Sequence, residues 1–198
     1  MTAAIVLEIA EKAFIEGLEI LQIIELMQKQ NTGRINGNLT DGGAARAGVV
    51  IRNSLISRLT LLTAGAMSPV NRADDRHVRK AVELLQDPTV RRDVQSMGGQ
   101  PNRIAQFERL WAELDADPRR TVVKHFRDKW TAHSAVPNPQ IRPPTYDEMF
   151  AFSKAIAGAI ESFAHAVGVT RESHQDTMDE MISASQEFWR PWEFMHRR

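Results

Sequence analysis

Residues 3–27 read AAIVLEIAEKAFIEGLEILQIIELM, and how this stretch is read decides what kind of protein the chain folds into. It is apolar enough to suggest a membrane span, yet Glu8, Glu11, Lys12, Glu16, Glu19 and Glu25 interrupt it. A spanning helix needs roughly 20 consecutive apolar residues, and the first run here stops at Glu8. The charges, with Gln22 and Lys29, recur every three or four residues and draw a polar stripe along one helix face. No basic region precedes a small-residue cleavage site, so no signal peptide is expected. The reading is a long helix over about residues 2–29, buried on more than half its circumference. A core helix is the first expectation, and a partner-binding helix is the alternative.

Working outward, NTGRINGNLTDGG (31–43) is expected to be a loop from its glycines, asparagines and Asp41. A second long helix follows over 44–67, with Val50, Leu55, Ile56, Leu59 and Leu62 at helical spacing, and it ends at Ser68-Pro69. Residues 74–86 open with acidic side chains suited to a helix N-terminus and stop before Asp87-Pro88. A short helix over 89–97 breaks at Gly98-Gly99-Gln100-Pro101. Helices over 102–115 and 118–134 come next, the latter with Pro118 at its first position and Asp117 as cap. The four prolines of SAVPNPQIRPP (134–144) rule out regular structure there. Thr145 and Glu148 form a capping box that opens another helix. Its Ala155, Ala157, Gly158 and Ala159 allow close helix packing. A final amphipathic helix covers 172–189. No segment alternates like a strand, so the expected class is all-α, an up-and-down bundle with additional helices in a single domain over 1–198.

Composition narrows the function classes. The 198 residues carry 25 Lys+Arg against 25 Asp+Glu, so no global positive field advertises nucleic acid, and only a local basic patch can. Cysteine is absent, which excludes disulfides, thiolate metal sites and a cysteine nucleophile, and fits a reducing cytoplasmic setting. There is no phosphate-binding glycine loop, no HExxH, no GxSxG and no calcium-loop pattern. The six histidines never pair at i, i+4, so no metal and no cofactor are expected.

What remains is Arg–His chemistry. HFRDKWTAHSAVP (125–137) packs two histidines, two other basic residues and two aromatics ahead of a proline. In an ideal helix the six steps from Arg127 to His133 leave them about 9 Å apart and some 120° around the axis. They meet on one phosphate only if the helix opens before His133 or a second chain completes the site. Spacing alone selects nothing, because a similar interval separates Arg72 from His77, Arg119 and Arg120 from His125, and Arg190 from His196. A histidine at a helix end also has a plain structural role in capping carbonyls, and Arg127 a plain one in pairing with a carboxylate. Trp130 suits base stacking, although a tryptophan at that spacing is more commonly a core residue. His125 reads as solvated or core. Arg46, Arg52 and Arg58 read as half surface and half interhelical pairing.

Context separates Arg127/His133 from the other pairs. A charged residue follows the arginine, an aromatic lies between, and Ala-His-Ser closes the helix. The phrase FRDKWTAHS (126–134) resembles the HEPN superfamily (higher eukaryotes and prokaryotes nucleotide-binding), and within it the AbiU-like branch associated with abortive infection. Asp128 stands where that branch more commonly has Asn. The close match covers about ten residues, with looser similarity through SRLTLL (57–62) and RHVRKAVELL (76–85).

The resemblance implies a HEPN-like helical domain and a metal-independent endoribonuclease or toxin of phage defence, in which the RNA's own 2′-hydroxyl attacks. It assigns Arg127, Asp128 and His133 to catalysis. Arginine's planar fork suits a phosphate and histidine titrates near neutrality. Lys124 and Lys129 suit neighbouring phosphates and Trp130 a base. The alternative is a non-catalytic helical module binding nucleotide, RNA or a partner protein. Expected partners are RNA, a second copy of the chain completing a composite site, and an antitoxin protein, with no membrane. Ser134-Ala135 follow His133 and the sole tyrosine is Tyr146, which argues against regulation by tyrosine modification at the motif. The aromatic C-terminus, Phe188, Trp189, Trp192, Phe194 and Met195, is expected to add interface surface.

Overall fold

The computed structural model describes residues 2–72, 74–132, 136 and 138–194, with the side chains of Thr131 and Ala132 outside that set. Among these residues there are nine α-helices and no strand, so the chain is an all-α bundle. No helix among them is long and apolar enough to cross a membrane.

The opening stretch forms α1 (Thr2–Gln30). Its fully covered positions Val6, Ile9, Ala13, Ile20, Ile24 and Met27 step by three, four or seven, which is the face the charge stripe leaves apolar. That face meets α8 (Tyr146–Val167) most extensively, with α3 (Ala45–Ala66), α4 (Val78–Leu85), α5 (Pro88–Ser96) and α9 (Met178–Glu193) around it. On α8, Phe152, Ile156, Ile160 and Phe163 complete the core. Phe163 stacks on Phe107 of α6 (Pro101–Ala116) with ring centroids 4.9 Å apart. Each large apolar side chain buried this way contributes on the order of 1.5–3 kcal/mol.

α1 approaches its neighbours closely at Gly17. A β-carbon there would lie 2.5 Å from Cε1 of His174 and 3.2 Å from Ile160. His174 cannot yield easily: it is 3 % exposed, lies against Phe14 with ring centroids 4.5 Å apart, and its Nε2 bonds the Phe14 carbonyl oxygen at 3.1 Å. Burial holds its pKa below the ordinary histidine range, with the Phe14 carbonyl and Glu161 opposing. At the other end of α8, Gly168 takes φ +80° and donates back to the Ala164 and His165 carbonyls. The Thr145–Glu148 capping box is present, and Arg142, bonded to Glu148, lowers that carboxyl's pKa to about 2.

Four expectations need correction. Residues 33–41 are a helix, α2 (Gly33–Asp41), not a loop. Thr32 accepts the Ile35 N–H as a cap, and Ile35 and Leu39, one turn apart, pack on Trp189 in a small second core. Tertiary contact with α9 thus outweighs the helix cost of glycine and asparagine. The acidic pair before α4 lies outside the helix, which starts at Val78. Asp75 instead accepts the backbone N–H groups of Asn71 and Arg72 in a turn. The last helix divides into a 3₁₀ turn (His174–Thr177) and α9, which runs through Pro191. The C-terminal aromatics divide too: Trp189 is buried and donates its indole N–H to the Leu26 carbonyl, and Trp192 packs beside it, while Phe188 and Phe194 are exposed. Met195 lies outside the described residues.

Candidate functional site

The motif begins on α7 (Pro118–Phe126), which Asp117 caps through the Arg119 N–H as its sequence implies. At Arg127 the helix changes type. Residues Arg127–Ala132 close i→i+5 bonds, a wide turn rare in proteins and frequent at functional sites. The expected single helix over 118–134 therefore opens earlier than its proline-rich end suggests. His133 itself lies outside the described residues, as do Ser134, Ala135 and Pro137.

Asp128 ties the turn together. Its Oδ1 accepts from Arg127 Nε at 2.7 Å and pairs with the second guanidinium nitrogen at 2.5 Å. Its Oδ2 accepts from Lys124 Nζ at 2.8 Å, one helical turn back. Burial acts to raise the Asp128 pKa, but the bonds from Lys124 and Arg127 together outweigh it and hold the carboxyl below its ordinary range. The other arm of Arg127 donates to the Ser68 hydroxyl at 2.8 Å, just past the end of α3. The guanidinium is thus held by three bonds and is 21 % exposed. Behind it, the recess lined by Thr63, Met67, Ser68 and Phe152 offers about 10 Å³, no more than one water. A phosphate reaches Arg127 from the outer face only, and there it competes with Asp128.

That outer face carries the rest of the motif. Lys124 is 50 % exposed and Lys129 half-buried. Trp130 is 53 % exposed, which overturns the core expectation, and its ring stacks on Phe126 at 6.3 Å between centroids. Phe126 in turn lines a cleft of about 440 Å³ with Asn53, Ile56, Tyr146 and Met149. The cleft lies between α3 and the start of α8, and Tyr146 is partly exposed at its edge. Asn53, Phe126 and Tyr146 were not singled out from sequence. Their only signal is contact across three elements, which periodicity does not report.

The other arginine–histidine pairs resolve differently. Arg119 is held by Asp117 and lies over the Phe152 ring, and Arg120 pairs with Asp115 at 2.9 Å. His125 accepts the Asn138 N–H at 3.3 Å, which pins the proline-rich connection to α7. Arg58 bonds Glu19 of α1 at 2.7 Å through both ends of its fork, an interhelical pair, while Arg46 is exposed and Arg52 half-buried. Arg72 and His77 line a separate cleft. Arg190 pairs with Glu187 within α9, and His196 lies outside the described residues.

No family model, curated protein or solved structure matches this chain.

Proposed function

We propose that the chain is a HEPN-type, metal-independent endoribonuclease acting in phage defence or as the toxin of a toxin–antitoxin pair. The observation that carries the reading is the juxtaposition at the wide turn: a guanidinium oriented by Asp128 and Ser68, Lys124 on the same carboxylate, and an aromatic cleft lined by Phe126, on which Trp130 stacks. A phosphodiester and its flanking bases need that combination, charge for the phosphate and π faces for the bases.

In this mechanism the 2′-hydroxyl of the bound nucleotide attacks the adjacent phosphorus, and the 5′-oxygen of the next nucleotide leaves. A cyclic phosphate and a 5′-hydroxyl result. Arg127 stabilises charge on the non-bridging oxygens as the phosphorane forms. One His133 accepts the 2′-hydroxyl proton and a second His133, from a two-fold-related chain, protonates the leaving oxygen. Trp130 and the Phe126–Tyr146 cleft hold the flanking bases, and Lys124 and Lys129 the neighbouring phosphates. Asp128 is a positioning residue, since it grips Arg127 rather than the substrate.

The test is cleavage of single-stranded RNA in EDTA, with the product ends identified. Cyclic phosphate ends formed without metal are expected, and activity restored only by Mg²⁺ or Mn²⁺ overturns the mechanism. A second reading, a non-catalytic module that binds RNA, nucleotide or protein, rests on the full engagement of the Arg127 fork by Asp128 and Ser68. Retained RNA binding with no cleavage supports it.

A further inference from the structure

A second cleft, of about 510 Å³, opens between α1, α3 and the connection leading into α4. It takes in the Arg72/His77 pair that the proposed ribonuclease site leaves unused. His77 stands at the start of α4 with its side chain 17 % exposed. Both of its ring nitrogens are buried and neither has a hydrogen-bond partner among the described residues. Histidine always carries at least one N–H donor, so a ring buried without partners calls for a physical explanation. Asp75 Oδ2 is 3.8 Å from Nε2, too far for a hydrogen bond and near enough to bias the ring's charge. That same oxygen accepts the Asn71 and Arg72 N–H groups at 2.7 and 2.9 Å, which fixes the turn and places Arg72 at the cleft. Arg72 is exposed, and its guanidinium makes no ion pair or side-chain hydrogen bond among the described residues. Arg58, by contrast, is held by Glu19 through Nε and Nη2.

We propose that this cleft is a binding site for a small phosphomonoester, whose phosphoryl group is held by Arg72 and His77. A tetrahedral dianion gives the guanidinium fork a bidentate partner and, with the His77 ring turned so that a nitrogen faces the cleft it lines, gives the imidazole an acceptor. Lys12, on the facing wall, is only loosely engaged by Glu16 at 3.6 Å and adds a further cation. Glu16 and Asp74 set the ligand class: they repel a continuous polyanionic strand but accept hydroxyl donors on a small phosphorylated molecule. Burial holds the His77 pKa below the ordinary histidine range, against the pull of Asp75 on the same connection and Glu83 on α4, and with Arg79 on α4 and Lys12 on α1 assisting. A bound dianion reverses that balance.

The experiment titrates inorganic phosphate into the full chain and follows the histidine Cε1–H resonances by NMR, with His77 assigned through His77→Gln. The His77 signal is expected to shift saturably and its titration midpoint to rise, and the thermal midpoint of the protein to rise with it. Arg72→Ala, an exposed position whose loss leaves the core intact, is expected to weaken phosphate binding at least about tenfold with an unchanged helical circular dichroism. If His77→Gln does not fold, Arg72→Ala carries the test. A His77 resonance unmoved up to about 10 mM phosphate overturns the proposal, as does equal stabilisation of wild type and Arg72→Ala. A short oligonucleotide without terminal phosphates, shifting His77 as strongly as inorganic phosphate does, overturns the monoester assignment.

Discussion

At the residue scale, the proposed chemistry concentrates on Arg127, His133 and the carboxylate between them in sequence. Arg127→Ala and His133→Ala are each expected to abolish RNA cleavage, a loss of at least about a hundredfold, while leaving helical circular dichroism unchanged. Full activity in either variant rejects the assignment, and loss of fold in both identifies the pair as structural. Asp128→Asn separates orientation from charge. The amide keeps an oxygen for Arg127 Nε but removes the negative charge that an incoming phosphate must displace. RNA affinity is expected to rise several-fold in a filter-binding or fluorescence titration, and a fall instead means that the charge on Asp128 is needed.

At the element scale, the bundle depends on how closely α1 approaches α8 and the 174–177 turn. Gly17→Ala gains about 1 kcal/mol of helix propensity. It also drives a methyl into a buried histidine ring wedged by Phe14 and Glu161, and overpacking of that kind costs roughly 1–3 kcal/mol. Net destabilisation is expected in urea unfolding, and a more stable variant shows that His174 can step aside. The same ring makes stability depend on pH. Its folded pKa is depressed, so at acid pH the unfolded chain binds a proton that the folded chain resists, and stability rises with pH in that window. His77 acts in the same direction. The contribution is complete above the ordinary histidine pKa of about 6.5 and is lost as pH falls below it. The thermal midpoint is expected to drop by several degrees between pH 7 and 5. A flat profile contradicts the buried, neutral state of both rings. Glu19, Asp117 and Asp128, each held below its ordinary range by a basic partner, extend the loss at still lower pH.

At the scale of the whole molecule, the proposed composite site requires two chains. Exposed Trp130 lies on the motif turn and exposed Phe188 and Phe194 on the C-terminal segment, while Trp189 and Trp192 are occupied inside the fold and unavailable to a partner. The interface is therefore expected around α7 and the wide turn rather than across the whole aromatic C-terminus. Light scattering at micromolar concentration should give about twice the chain mass of 22.3 kDa. An active species at the single-chain mass rules out shared histidines.

Much of the architecture was legible because helix signals are local. The three-to-four spacing of α1, the Pro118 start and Asp117 cap of α7 and the Thr145–Glu148 box each rest on residues within one or two turns of one another, whereas Pro88 and Pro101, read as breaks, prove to open α5 and α6. The Arg127–His133 motif is likewise a run of adjacent residue types, and the role proposed for it rests on that resemblance. Tertiary structure decided the rest, where distant elements meet. It made α2 a helix by docking Ile35 and Leu39 on Trp189, and it put Trp130 in solvent beside a cleft contributed by three elements. It aimed Arg127 through Ser68, some sixty positions earlier in the chain, and it closed Gly17 against a histidine from the far end of the sequence. Periodicity reports which face of a helix is apolar. Which neighbour covers that face, and which polar groups are left to share a cleft, is set by the packing of the whole bundle.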